Sequence, residues 1–224
     1  AAADPGVRLE AVRALATDAH TDTADGAVVT VLGGDRWPAL RQAAAAGLAL
    51  RCTRPGPRTA LITAVGTDAH VPVRVEAVAA LASCVDGAVA TQFLTWVDDS
   101  TLALPVRDRA LAAYAEQTGP AATAALLTRL ARWRGQAFSD DAALRLAIRA
   151  ATALGQRAAA EAGPELLAAA RDRAFPELAT AAVQALGGLG AACPREAPAL
   201  LRSLLGADEA QLATAARGAL RTCR

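Results

Sequence analysis

Apolar positions recur along this chain with two periods at once. Within short runs they fall at i, i+4, i+7 and i+8, as at Val7, Ala11, Ala14 and Leu15, which is one face of a helix. The runs themselves return at a longer interval. Val7–Leu15 is followed by Leu40–Leu48, Val73–Leu81 and Val106–Tyr114, then by looser copies at Ala147–Ala151, Ala182–Leu186 and Ala216–Leu220. The last residue of each run serves as an anchor. The anchors fall at 15, 48, 81, 114, 151, 186 and 220, spaced 33, 33, 33, 37, 35 and 34 residues apart. A second apolar helix lies between successive runs, at Ala27–Leu32, Ala60–Val65, Phe93–Val97, Ala121–Trp133, Glu165–Arg171 and Pro198–Leu205. The repeating unit is therefore a pair of helices of about three turns, too short to bury its apolar face except against a neighbouring pair.

Punctuation supports the same boundaries. Pro follows Asp4, Trp37, Gly119, Gly163, Phe175 and Cys193, and a proline at a helix start costs no hydrogen bond. Gly33, Gly34, Gly66 and Gly206 lie just past apolar runs, as helix stops do. Trp37 and Phe175 both stand eleven residues before an anchor, where an apolar side chain ahead of a helix can staple its first turn. The pattern predicts an all-α, right-handed superhelix of about six and a half helix pairs, forming one domain over residues 1–224.

These repeats resemble the HEAT family, and in particular the short variety first noted in phycobilin lyases. The resemblance is carried by Asp-Pro-Gly-Val-Arg-Leu-Glu-Ala-Val-Arg-Ala-Leu at 4–15 and by its echoes at 35–48 and 68–81. It implies that the anchored runs are the second helix of each pair and that those helices line the concave side. The chain would then begin half-way through a repeat. It opens Ala-Ala-Ala-Asp-Pro without Met, and both features fit a segment of a longer or processed protein.

Composition agrees with an all-α chain. Of 224 residues, 63 are alanine and seven aromatic, so the β-branched and aromatic residues that a sheet favours are scarce. Twenty-three basic residues, all arginine, face 22 acidic ones, for a net charge of +1. That balance speaks against a nucleic-acid partner held by phosphate neutralisation. The longest uncharged run, 178–194, is rich in Ala and Gly and short for a membrane span. The cytoplasm is the first reading of compartment, with an exported form as the alternative.

The sharpest motif is a ladder of Arg8, Arg41, Arg74 and Arg107, with Asp4, Asp35, Asp68 and Asp99 upstream. A guanidinium–carboxylate fork is a natural turn clamp, and the expected role is structural, tying each inter-helix turn to its neighbour. Arg13, Arg109, Arg145 and Arg149 lie on the same helices off the apolar face and are the candidate partner surface. Thr-Asp-Ala-His occurs at 17–20 and 67–70, but the repeat map sets the two copies on opposite edges, and no metal site is expected. Cys52, Cys84, Cys193 and Cys223 lie just past anchors. Packed helices stand about 8–10 Å apart, beyond the reach of about 7 Å for a disulfide; buried free thiols are expected unless helix-end loops close the gap. Trp96 and Trp133, with Phe93 and Leu130 three residues before them, are expected to pack between repeats rather than form an exposed strip.

No catalytic motif is present: neither His20 nor His70 is followed by Glu, as the iron-dependent HEAT hydroxylases would require, and no cofactor is expected. The functional expectation is a non-enzymatic scaffold that binds another protein along the concave face. The alternative is a HEAT-like factor acting on nucleic acid, as some helical-repeat DNA glycosylases do with Trp and Asp in a groove, or handling a small molecule.

Overall fold

The structure, a computed structural model, describes residues 4–17 and 21–223. Asp18 and His20 lie outside the described residues, so the first Thr-Asp-Ala-His motif receives no structural account. The described residues form thirteen α-helices and no strand: α1 (Pro5–Thr17), α2 (Asp22–Gly34), α3 (Pro38–Gly47), α4 (Pro55–Thr67), α5 (Val71–Leu81), α6 (Gly87–Asp98), α7 (Leu104–Ala115), α8 (Pro120–Gln136), α9 (Asp141–Gln156), α10 (Gly163–Arg171), α11 (Pro176–Gly188), α12 (Ala197–Ser203) and α13 (Ala210–Thr222). The odd-numbered helices carry the anchored runs and the even-numbered ones the intervening apolar segments. Four of the six prolines noted in the sequence are the first residue of a helix, and Pro164 is the second residue of α10. Pro194 instead precedes α12, whose second residue is Pro198.

The helices group into two compact units, one ending at Tyr114 and the other beginning at Ala115. In the first unit α2 packs on α3 and α4 on α5. The second helices stack in the order α1, α3, α5, and the first helices α2 and α4 stack beside them. In the second unit the pairs are α8 with α9, α10 with α11 and α12 with α13, and α11 lies between α9 and α13. The inner anchors Leu48, Leu81, Tyr114, Ala151 and Leu186 are buried, while Leu15 and Leu220 are half-buried. Leu15 and Leu220 lie on α1 and α13, each of which has a stacked second helix on one side within its own unit. No helix among the described residues is long and apolar enough to cross a membrane.

Small residues set how closely the second helices approach. A Cβ on Gly155 of α9 would collide with the Cα of Ala185 in α11. One on Gly188 would come within 2.5 Å of the Gly155 carbonyl, and one on Gly187 within 3.0 Å of the Ala219 Cα in α13. Backbone cannot swing aside as a flexible side chain can. Gly155→Val is therefore expected to destabilise the protein by about 2–3 kcal/mol in chemical denaturation. Gly135→Ala, in an exposed stretch of α8 with open space at its Cβ, should instead stabilise by roughly 0.5–1 kcal/mol.

The free-thiol expectation is overturned. Cys52–Cys84 and Cys193–Cys223 are disulfides, with Cα separations of 5.9 and 5.3 Å. None of the four cysteines sits on a packed helical face. Each lies just beyond the C-terminus of a second helix (α3, α5, α11 and α13), in a 3-10 turn or next to one in three cases, where the backbones come closer than the helix axes. The aromatic expectation holds: Trp96 is 5% exposed and Trp133 1%. Trp37 and Phe175 do occupy N-cap positions, of α3 and α11. Trp37 is nevertheless 44% exposed under the Arg36 guanidinium, and Phe175 meets the exposed Phe138 edge-on.

Candidate functional site: the outer face of the second helices

The turns entering the second helices are built by aspartate. The Oδ1 atoms of Asp4, Asp35, Asp68 and Asp99 accept the backbone N–H two residues on, from Gly6, Trp37, His70 and Thr101, at 2.7–2.9 Å. Asp140 and Asp172 make the same bond to Ala142 and Ala174. This local bond satisfies a donor that the first helical turn leaves open.

The arginine ladder joins these turns across repeats. Arg8 donates to Asp35 at 2.5 Å, and Arg41 forks onto Asp68 at 2.6 and 2.9 Å. Each arginine thus clamps the carboxylate of the aspartate 27 residues on, and Arg41 also donates from Nη1 to the backbone carbonyl of Asp35 in its own turn at 2.7 Å. The next two rungs differ: Arg74 Nε donates to the Val65 carbonyl at 2.6 Å and the buried Arg107 to the Val97 carbonyl at 3.0 Å, closing the ends of the preceding first helices. Asp99 is held below the usual carboxylate range chiefly by the Thr101 hydroxyl, with the charges of Arg107 and Arg74 adding to it. His70 belongs to this network. Its Nδ1 accepts from Arg41 at 3.1 Å, while Asp68 is taken up by Arg41 and the His70 N–H. Among the described residues no group of three His, Cys, Asp or Glu side chains is placed to hold a metal ion.

The hydrogen bond from Arg41, helped by the His70 N–H, lowers the Asp68 pKa below its ordinary value. A depressed carboxylate pKa contributes stability above the unfolded-state value, and that contribution disappears as pH falls through the folded-state value. The melting temperature should therefore fall on acidification below about pH 4. Asp68→Asn should show a shallower fall across the same window; an unchanged acid limb would refute this role.

The candidate partner arginines fall in both units. Arg13 and Arg109 belong to the first unit, Arg145 and Arg149 to the second. Arg13 is exposed on α1 and paired with Glu10 at 2.7 Å. Arg109 is half-buried on α7. Arg145 and Arg149 are exposed and one turn apart on α9.

Each unit carries a groove on its stacked second helices. The first, of about 590 Å³, is lined by Leu9 and Arg13 of α1, Gln42 and Ala46 of α3, the exposed Leu50, and Glu76 of α5. The second, of about 680 Å³, lies between α11 and α13 and is lined by Thr180, Gln184, Gly187, Gln211, Thr214 and Gly218, with alanines between them. Both use the same two repeat positions, six and two residues before the anchor. Those positions hold Leu9 and Arg13, Gln42 and Ala46, Thr180 and Gln184, and Thr214 and Gly218. The polar residues Thr180, Gln184, Gln211 and Thr214 escaped the sequence reading because no single residue type repeats there. For Thr180, Gln184 and Thr214 the fixed offset from the anchors was the signal that could have found them; Gln211 stands nine residues before its anchor, outside those positions.

No known sequence family matches the chain, and no curated protein is significantly similar to it. Solved structures are similar in fold. The Escherichia coli protein YibA superposes with a TM-score of 0.55 at 13% identity, over 96% of this chain and 82% of that one. Human deoxyhypusine hydroxylase, solved with glycerol, aligns at 19% identity over 98% of this chain and 80% of its own, with a TM-score of 0.47. A designed armadillo repeat protein aligns at 18% identity over 88% of this chain and 99% of its own, with a TM-score of 0.49. The likeness to YibA is one of fold, and the chain folds as a helical-repeat solenoid.

Proposed function

We propose that this chain is a non-enzymatic interaction module of the HEAT type, binding another protein along the exposed face of its second helices. One observation carries the reading: both units place a groove at the same two repeat positions of that face. Structural ion pairs and capping bonds engage Arg8, Arg41, Arg74 and Arg107 elsewhere, so this face is open to a partner. Extended repeat surfaces suit such binding without any chemistry of their own. Two disulfides suit an oxidising compartment, and on that ground the exported form is preferred to a cytoplasmic one.

The test is capture of a stoichiometric protein from source lysate by the purified chain, compared with the Arg13→Glu, Arg145→Glu, Arg149→Glu triple variant. The expected result is loss of the captured protein with an unchanged far-UV spectrum. Capture of nucleic acid alone, released by moderate salt, would refute the reading.

A further inference from the structure

Helix α1 is a second helix whose core-type side is uncovered. Val7, Ala11 and Ala14 stand at the same repeat positions as Leu40, Ala44 and Gly47 of α3, Val73, Ala77 and Ala80 of α5, and Val106, Ala110 and Ala113 of α7. In α5 and α7 all three positions are at most 2% exposed, and so are Leu40 and Ala44 of α3. On α1, Val7 is 63% exposed, and Ala11 and Ala14 are exposed beside it. The residues are as apolar as their counterparts; what differs is the cover. Elsewhere first helices supply it: α2 packs on α3 and α4 on α5.

The hydrogen bonds of Arg8 point independently to the same kind of partner. In the next three repeats the ladder arginine donates to a carbonyl at the C-terminal end of the preceding first helix. Arg41 Nη1 reaches Asp35, the C-cap of α2, at 2.7 Å; Arg74 Nε reaches Val65 of α4 at 2.6 Å; Arg107 Nε reaches Val97 of α6 at 3.0 Å. The last carbonyls of a helix have no partner within it and carry partial negative charge, so a guanidinium suits them. Arg8 keeps its clamp on Asp35 through Nη1. Its Nε and Nη2 are shielded from solvent and have no hydrogen-bond partner among the described residues. Enclosed donors on a charged group are costly to leave open. A helix laid on α1 as α4 lies on α5 would bring carbonyls to them.

We infer that the uncovered side of α1 docks an apolar helix of a partner protein. The helix lies on Val7, Ala11 and Ala14, and its last-turn carbonyls accept from Arg8. Its chemistry is that of the first helices, a stripe such as Leu61, Ala64 and Val65 of α4 or Ala24, Val28 and Leu32 of α2, all buried in this chain. A polar segment would gain nothing from the valine and alanine floor. Leu9, Arg13 and Ala16 of α1 line the first groove; this site uses other residues of the helix and stands independently of the reading above.

The test is fluorescence anisotropy of the full chain with a labelled synthetic peptide of Pro55–Thr67, the sequence of α4. A lactam bridge between positions 59 and 63, both exposed in α4, holds the peptide helical. The control peptide carries Leu61→Asp with Val65→Asp. The unchanged peptide is expected to bind about tenfold more tightly than the control. In the chain, Val7→Glu with Ala11→Glu should weaken binding about tenfold, whereas Ala124→Glu with Thr128→Glu, the same added charge at exposed positions of α8, should cost about twofold or less. Arg8→Lys keeps a charge for Asp35 but loses the guanidinium fork, and should weaken binding roughly fivefold. No binding below about 1 mM, equal binding of the two peptides, or equal losses from the two glutamate pairs would overturn the inference. So would a dimer of the chain alone, seen by sedimentation and dissociated by Val7→Glu with Ala11→Glu, which would make a second copy the occupant.

Discussion

Removing either disulfide is expected to lower the unfolding free energy by about 3–4 kcal/mol. The bridges close loops of 32 and 30 residues, each about one repeat long. In an open chain the two ends of such a loop wander freely; the covalent link takes that freedom from the unfolded state while leaving the folded one unchanged. Both bridges sit at the same place in the architecture, fastening the C-terminal ends of neighbouring second helices, α3 to α5 and α11 to α13. Cys52 and Cys223 are buried, so alanine is the replacement that adds no polar group to the core. The paired variants Cys52→Ala with Cys84→Ala and Cys193→Ala with Cys223→Ala should each unfold at lower denaturant. Wild-type protein treated with reductant should lose more than either variant. A loss under about 1 kcal/mol for both pairs would mean that the stacking alone holds the repeats in place.

Asp25→Ala is expected to cost a further large amount, about 3–5 kcal/mol. Asp25 on α2 is buried and receives two arginines from the next repeat: Arg51 at 3.0 Å and Arg54 at 2.5 Å. The Arg51 side chain is wholly buried. Its Nη2 also donates to the carbonyls of Leu15 and Ala16, the latter at 3.3 Å, where α1 ends. The arginine thus closes one helix and clamps another. Taking away the carboxylate leaves a buried cation facing carbonyl oxygens without its counter-charge. Arg51→Met should cost less than Asp25→Ala, since Asp25 keeps Arg54 and the methionine fills the space of the arginine stem. Combining Asp25→Ala with Arg51→Met should recover part of the Asp25→Ala loss in a double-mutant cycle. Strict additivity would show that the two side chains do not act as a pair.

The helices were legible in the sequence because two independent signals coincide there. Val73, Ala77, Ala80 and Leu81 mark one helical face, and their counterparts return every 33 to 37 residues. Pairing of first with second helices follows from the short turns, and burial of Leu48, Leu81, Tyr114, Ala151 and Leu186 follows from their place as anchors. The ladder was legible in its members and, for Arg8 and Arg41, in its joining of neighbouring turns, but not in the carbonyl bonds of Arg74 and Arg107. Arg41 reaches only the backbone carbonyl of Asp35, six residues before it, while the Asp35 carboxylate accepts Arg8, because stacking brings successive turns side by side. Asp140 and Asp172 were missed because the arginine of the motif is replaced by Leu144 and Ala179, although the aspartate keeps its turn. Arg51 and Asp25 gave no sequence signal: the clamp occurs once, and periodicity cannot find what does not repeat. The disulfides were misjudged for a geometric reason, since interaxial distance bounds helix faces and not the turns beyond them.

The central claim is that the second helices, and not the first, present the binding surface. It is tested most directly by placing the photoreactive residue benzoylphenylalanine at Gln184 on α11 or at Ser203 on α12, both exposed. Each version would be irradiated with the partner recovered by capture. The account predicts covalent adducts from position 184 and none from position 203. Adducts from position 203 alone would contradict it.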